Sequence, residues 1–357
     1  MNDIRLGKYT IGKNHPPFII AEMSGNHNQS LERALKIVEE AAACGAHAIK
    51  IQTYTPDTLT IDYDKGLFFI KDKNSLWKGR TLYDLYKEAM TPWEWHKPIF
   101  DYSQEKGIIA FSSPFDITAV DFLEKLNCPF YKIASFENCD YTLLKSVAST
   151  GKPVIMSTGL STFEDISDSV KVLRNNGCKD LILLKCTSSY PASPEDSNLV
   201  TIPEMENKFQ CHVGLSDHTF GIGAAVASVA LGARVIEKHF TLSRADGGVD
   251  SAFSLEPHEL KNLIIESERA FFALGKISFE ISESEKRSLR YKRSIYLVKD
   301  IKAGEVFTNE NIRVIRPGDG LHPKHIESVI GKKAKSDLKR GEPLSWDDVS
   351  GRSEKSL

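Results

Sequence analysis

Between residues 17 and 240 the chain alternates short apolar runs with segments of helical periodicity. The runs lie at 17–23 (PFIIAEM), 47–53 (HAIKIQT), 107–113 (GIIAFSS), 130–135 (FYKIAS), 153–158 (PVIMST), 181–186 (LILLKC), 212–217 (HVGLSD) and 235–240 (VIEKHF). Most lack the polar alternation of a half-exposed strand, so both faces are expected to be covered, as in a parallel sheet. The clearest helix is predicted at 30–44. There Leu31, Leu35, Val38 and Ala42 recur at helical spacing and Gly45 follows as a C-cap. Segments 116–126, 141–149, 162–175 and 257–273 read the same way. Segment 221–232 (GIGAAVASVALG) is uncharged and built of small residues, which suits a helix packed closely on a sheet. The eight β–α alternations predict an α/β chain folded as a (β/α)8 TIM barrel. The alternative, an open doubly wound sheet, lacks a glycine-rich dinucleotide loop after its first strand. The long connection 54–91 is expected to form a lid or a substrate wall.

The pattern changes after Gly275. Residues 282–292 (SESEKRSLRYK) are charged and polar and read as a linker. Short β-like pieces, SIYLVKDI and NIRVIRP, then alternate with KAGE, RPGDG and KRGEP turns. The expected division is a catalytic barrel over 1–280, a linker over 281–292 and a small β-rich domain over 293–357. That last part is too short for a large core and is expected to lean on another surface.

Composition narrows the classes. A net charge of −2 gives no reason to expect nucleic acid or a membrane surface. No apolar run reaches the length of a membrane span and the N-terminus carries no signal pattern, so a soluble cytoplasmic protein is expected. The six cysteines are scattered without a CxxC pair and read as reduced, mostly buried small residues.

Barrel chemistry sits where strands end. The seventh and eighth runs end in Ser216-Asp217-His218 and Glu237-Lys238-His239. His218 and His239 should therefore project from one edge. Two neutral imidazoles there could hold a divalent metal and leave other positions open; local hydrogen bonds could equally satisfy both rings. Lys50, Lys132 and Lys238, with Ser113, Ser135, Ser157 and Ser216, stand where a barrel would accept Val or Ile. Together they suit a small, multiply charged phosphate, lysine giving charge and hydroxyls giving directed donors. Any one lysine could instead be salt-bridged or snorkelling. Glu22 ends the first run, where a carboxylate can take a proton, orient water or bind a sugar hydroxyl, or simply pair with Lys50. Asn26 and His27 read as turn chemistry, and Asp250 as a sugar contact on a flexible loop or as part of a turn.

These residues lie in motifs: AEMSGNHNQS, KIQTYTPDT, FSSPFD, YKIASFE, MSTGL, CTSSYP, VGLSDHT and EKHFT. Taken in order they resemble the sialic acid synthases, the phosphoenolpyruvate-condensing enzymes of nonulosonate synthesis. Residues 294–347, including RPGDG, resemble that family's C-terminal antifreeze-like (SAF) domain. TPWEWH, TYTPDT and LSRADGGVDSAFSLEP are most similar to its pseudaminate branch. The resemblance implies His218 and His239 on a divalent metal, manganese or magnesium, with Glu22 as the third catalytic group. It puts Lys50, Ser113, Lys132, Ser135, Ser157, Ser188 and Ser216 around phosphoenolpyruvate. It puts Gln52, Glu137, Tyr190 and Asp250 on the sugar, joined by Arg316 from the other subunit of a domain-swapped homodimer. The implied sugar is 2,4-diacetamido-2,4,6-trideoxy-L-altropyranose. MSGNHNQ and Ser188 depart from the N-acetylneuraminate branch, which counts against N-acetylmannosamine. The remaining alternatives are an N-acetylneuraminate or legionaminate synthase, a metal-dependent sugar aldolase or isomerase, and a sugar-binding protein.

Overall fold

The computed structural model describes residues 1–73 and 75–351. A short antiparallel hairpin, β1 (Ile4–Leu6) and β2 (Tyr9–Ile11), opens the chain. Eight parallel strands follow: β3 (Phe18–Glu22), β4 (Ala48–Thr53), β5 (Ile109–Pro114), β6 (Tyr131–Ile133), β7 (Val154–Ser157), β8 (Leu181–Cys186), β9 (His212–Asp217) and β10 (Val235–His239). They close into a barrel in sequence order, with β10 returning to β3. Every run expected to be a strand is one, within one or two residues at either end. The hairpin was not foreseen. Tyr9 meets Phe18 and His47 edge-on at 5.5 and 4.8 Å, so it lies against the N-terminal ends of β3 and β4.

The helices follow their caps. Ser30 accepts the Arg33 N–H, Leu31–Cys44 follows, and Gly45 ends it at φ 94°. Asp116 and Thr162 cap Ile117–Lys125 and Phe163–Asn175 in the same way. The sequence reading does not include Leu82–Ala89, in the long connection, or Trp93–Lys106 and Thr201–Phe209, on the barrel. Of the last two, the first carries Pro98 in its interior and the second Pro203 in its first turn, and both are rich in polar residues, which blurs the apolar period. The connection after β4 is folded: Pro56–Leu59 and Leu82–Ala89 are helical, and Ile70 exchanges backbone bonds with Arg80 and Gly79.

The chain divides into two compact units at Gly275. The second contains the antiparallel pair β11 (Ser294–Leu297) and β12 (Ile312–Ile315). Ile295, Leu297, Phe307, Ile312, Leu344 and Val349 are among its fully buried residues, so, small as it is, this unit has a continuous core of its own.

Side-chain alternation decides what faces the barrel axis. Phe111 and Phe130 pack at 4.3 Å, with Phe18 at 6.4 Å from Phe130, and form an aromatic floor. Glu237 and His239 line the cavity above them, whereas Lys238, between the two, does not. Lys238 therefore leaves the phosphate-binding set expected from the sequence. Its ammonium bonds Asp217 at 2.8 Å and the Thr219 carbonyl at 2.7 Å, and both charged side chains are almost wholly buried. Lys238→Met should strand the Asp217 charge and cost about 3–5 kcal/mol. Adding Asp217→Asn should recover part of that loss, as read by denaturant unfolding of the single and double variants.

Candidate active site

Strand register brings the strand-end residues together. Glu22 pairs with Lys50 on one side and His239 on the other, Gln52 with Ser113, and Glu237 with Ser216. Above the aromatic floor opens a cavity of about 530 Å³. Among its lining residues are Glu22, Lys50, Gln52, Lys132, Ser135, Glu137, Ser157, Ser188, Tyr190, Ser216, His218, His239 and Asp250. Ser113 lies just behind this surface and accepts from Lys50 Nζ at 3.3 Å.

The base of the cavity is a buried charge network. Lys50 Nζ lies 3.1 Å from Glu22 and 3.5 Å from Glu237, and Lys132 Nζ lies 3.5 Å from the other Glu237 oxygen. Lys132 also donates to Ser157 at 2.7 Å, and Ser216 donates to Glu237 at 3.0 Å. Burial raises Glu22 to about 7 against the pull of Lys50. Burial acts on Glu237 too, but the two ammonium groups outweigh it and hold that carboxylate ionised. Glu237 was missed in the sequence because it reads as one more polar residue in EKH; only the barrel's alternation singles it out.

A hydroxyl cradle adjoins the lysines. The Gly159 N–H donates to Ser135 Oγ at 3.2 Å. A Cβ on Gly159 would stand 2.2 Å from Ser188 Oγ and 2.7 Å from Ser135 Oγ, so only glycine lets both hydroxyls converge. Buried Asn138 braces this turn through the carbonyls of Ser157 and Gly159. Neither Gly159 nor Asn138 was foreseen.

His218 and His239 face each other with ring centroids 5.3 Å apart. His218 Nδ1 lies 3.0 Å from the Thr187 carbonyl, which fixes that nitrogen as donor; burial opposes the ring's charge, but Cys186 and that carbonyl raise its pKa. His239 Nδ1 is buried without a hydrogen-bond partner. Burial, then the charges around it, keep that ring neutral. An orphaned imidazole nitrogen beside a second, oriented imidazole fits a divalent cation. Tyr190 packs at a tilt on His218 at 4.5 Å, and Phe253 packs edge-on to His239 at 4.9 Å. Cys186, read from the sequence as one of six reduced, mostly buried small residues, lines the cavity. Burial would raise its thiol, but the protonated His218 ring 3.9 Å away brings it down to about 6, the two groups favouring each other's charged forms. Glu256, His258 and Glu259 also bring ligand atoms together, but Arg244 pairs with both of those carboxylates and already supplies the positive charge.

The remaining expected residues separate. His27 is a turn residue: its ring accepts the Gln29 N–H and packs on Trp95. Asn26 ties the turn to Phe240 and Ser254. Asp250 is not on a free loop; it is buried and accepts the Ser24 hydroxyl. Arg316 belongs to the second unit and is exposed directly after β12.

The NeuB family matches residues 37–278 and the SAF domain residues 292–350. The chain belongs to the NeuB family. It is 47% identical to pseudaminic acid synthase from Campylobacter jejuni subsp. jejuni serotype O:2 over 93% of this chain and 96% of that one. Its identity with pseudaminic acid synthase from Helicobacter pylori is 40%, over 94% and 98%. The solved N-acetylneuraminic acid synthetase of Leptospira borgpetersenii serovar Hardjo-bovis aligns at a TM-score of 0.72 and 34% identity, covering 81% of this chain and 96% of that one. The resemblance seen in the motifs is thus borne out at family level, and the NeuB match spans strands β4 to β10 of the barrel.

Glu137 offers a test of the cavity's electrostatics. Burial raises it to about 7, with Lys132 opposing. A carboxyl raised in the folded state stabilises fully below its unfolded value, and that contribution fades as pH rises through the folded one. Between pH 5 and 8 the ligand-free protein should lose on the order of 2–3 kcal/mol relative to Glu137→Gln. Denaturant unfolding of the pair at both pH values checks this.

Proposed function

We propose that the protein condenses phosphoenolpyruvate with 2,4-diacetamido-2,4,6-trideoxy-L-altropyranose and water, giving pseudaminic acid and phosphate. The observation that carries this is the two-part character of one cavity. Its floor is lysine and hydroxyl, suited to a carboxylate and a phosphate. Its outer wall is Leu59, Ile70, Trp77, Leu82, Leu85 and Val249, suited to the methyl groups of a deoxy, N-acetylated sugar. The pseudaminic acid synthases of similar sequence support the same choice.

On this reading Lys50, Lys132 and the hydroxyls of Ser113, Ser135, Ser157, Ser188 and Ser216 hold phosphoenolpyruvate. Gln52, Glu137, Tyr190 and Asp250 orient the open-chain sugar so that its aldehyde faces carbon 3 of phosphoenolpyruvate. A manganese or magnesium ion on His218 and His239 would supply Lewis acidity toward that aldehyde. Glu22, raised to about 7, takes the proton of the water that adds at carbon 2. The lysines then balance the charge of the departing phosphate.

The same reading covers the barrel mouth with the small domain of a second copy in a domain-swapped homodimer. Phe136, Leu160 and Phe220, on the loops after β6, β7 and β9, leave exposed apolar surface around that mouth. Arg316 stands at the start of a well-tied turn: Ser294 donates to the Pro317 carbonyl at 2.7 Å and accepts the Gly320 N–H at 2.8 Å. That turn presents a guanidinium to sugar oxygens. A cytoplasmic location is supported by the six unpaired cysteines. Among the described residues no helix is long and apolar enough to cross a membrane.

The deciding assay is phosphate release from phosphoenolpyruvate with a panel of amino sugars. Release should require the sugar, favour the diacetamido trideoxy sugar over N-acetylmannosamine and the legionaminate precursor, stop with a chelator and return with manganese or magnesium. Lys132→Met should raise the phosphoenolpyruvate KM at least about tenfold; a change confined to the sugar KM would reverse the assignment of the two half-sites.

The dimer has its own test. Inactive His239→Ala mixed with inactive Arg316→Ala should regain part of the activity, because the mixed dimer holds one intact composite site. No recovery after verified subunit exchange would place the cap within its own chain.

A further inference from the structure

Ser24 holds a left-handed backbone, φ 46°, at a buried position two residues after Glu22. A residue with a Cβ is strained there by about 1 kcal/mol where glycine is not. Such strain persists where the surroundings impose it, so what the side chain supplies is informative. Its hydroxyl donates to Asp250 Oδ2 at 2.5 Å and accepts from Gln52 Nε2 at 3.2 Å. The same Gln52 nitrogen donates to Glu22 Oε1 at 3.1 Å. The left-handed turn also directs the next backbone N–H, that of Gly25, to the Asp250 carboxylate. One residue thus ties the end of β3 to a segment 226 positions away.

That segment needs tying. Asp250 follows Gly247 and Gly248, at φ 73° and 129°, and glycines of this kind give a loop little stiffness of its own. Next to it the Val249 carbonyl is held by the Trp77 indole at 2.9 Å. Backbone and carboxylate are therefore fixed from two different elements.

We propose that Ser24 is a positioning residue for the sugar half of the reaction, acting through Asp250 and Gln52. This rests on the condensation proposed above and names the group that sets the sugar contacts in place. The hydroxyl, and not the backbone turn, is the part that matters, since glycine would make the turn without strain.

Two variants separate those parts. Ser24→Gly removes the hydroxyl and relieves the strain; Ser24→Ala removes the hydroxyl and keeps it. Both should raise the sugar KM about tenfold or more, the scale of a hydrogen bond to a charged group. The phosphoenolpyruvate KM should stay within about twofold, and Ser24→Gly, which loses the same hydrogen bonds without the strain, should melt above Ser24→Ala. Amide hydrogen exchange across residues 247–253 should quicken in both. An unchanged sugar KM with unchanged exchange overturns the proposal. So does a parallel rise in both KM values, which would make Ser24 merely structural. If the parent released no phosphate with any sugar, the condensation reading itself would fail, while the exchange measurement would still report on the tether.

Discussion

The buried network of Glu22, Lys50, Glu237 and Lys132 is the constraint around which the barrel is arranged. Two ammonium groups and two carboxyls lie at most 5% exposed at the axis of a closed sheet. None could stay there alone, since an unpaired buried charge costs several kcal/mol. The pairing needs four strands, β3, β4, β6 and β10, in fixed register. A one-residue slip in any of them would turn its charge toward the helices and leave its partners uncompensated. The site and the fold therefore specify each other: the network requires the register, and the aromatic floor and outer helices hold it.

Strand parity then sorts neighbouring residues of one motif into different work. Glu237 and His239 reach the cavity, while Lys238 turns outward to Asp217. Asp217 likewise turns away, between Ser216 and His218 on the inside. Two polar triplets at two strand ends thus yield four cavity groups and one structural ion pair. Asp217 is thereby committed to Lys238, and His239 Nδ1, 3.9 Å from the Asp250 carboxylate, has no hydrogen-bond partner.

Much of this was legible in the sequence for a physical reason. Parallel strands buried on both faces must be apolar, so each polar residue near a run's C-terminal end stands out. Glu22, Lys50, Lys132, Ser157, Ser216, His218 and His239 were found that way, and all seven line one cavity. What stayed hidden depends on direction and on contacts across the fold. Within EKH the sequence alone does not show which side chains face inward, so Lys238 reads as a phosphate-binding group and Glu237 as one more polar residue. Gly159 acts by what it lacks, which becomes visible only once the Ser135 and Ser188 hydroxyls have coordinates. Asp250 looked loose because its tethers, Ser24 and Trp77, are more than 170 residues away in the chain. Trp93–Lys106 was obscured by Pro98 and a polar composition, although Gly107 at φ 75° closes it like any other helix.

The choice of cations bears on turnover. Arginine would grip a phosphate in a rigid two-point fork, whereas lysine offers a compact charge on a flexible stem. Both lysines here are already shared with Glu237, so an arriving phosphate competes with a resident carboxylate for them. On the proposed reading, binding is weakened by that competition, and the same carboxylate takes the lysines back as phosphate leaves. The charge count points the same way. Ionised Glu22 and Glu237 neutralise Lys50 and Lys132, leaving no net positive charge for a phosphate monoester with a carboxylate. Of the two, Glu22 is the group whose protonation costs least near neutrality, because burial has already raised it to about 7. On that reading a neutral Glu22 leaves Lys50 shared with Glu237 alone when the anion arrives, and Glu22 once ionised would accept the proton from water. One carboxyl, set by burial against a lysine, can thereby serve binding in one protonation state and chemistry in the other.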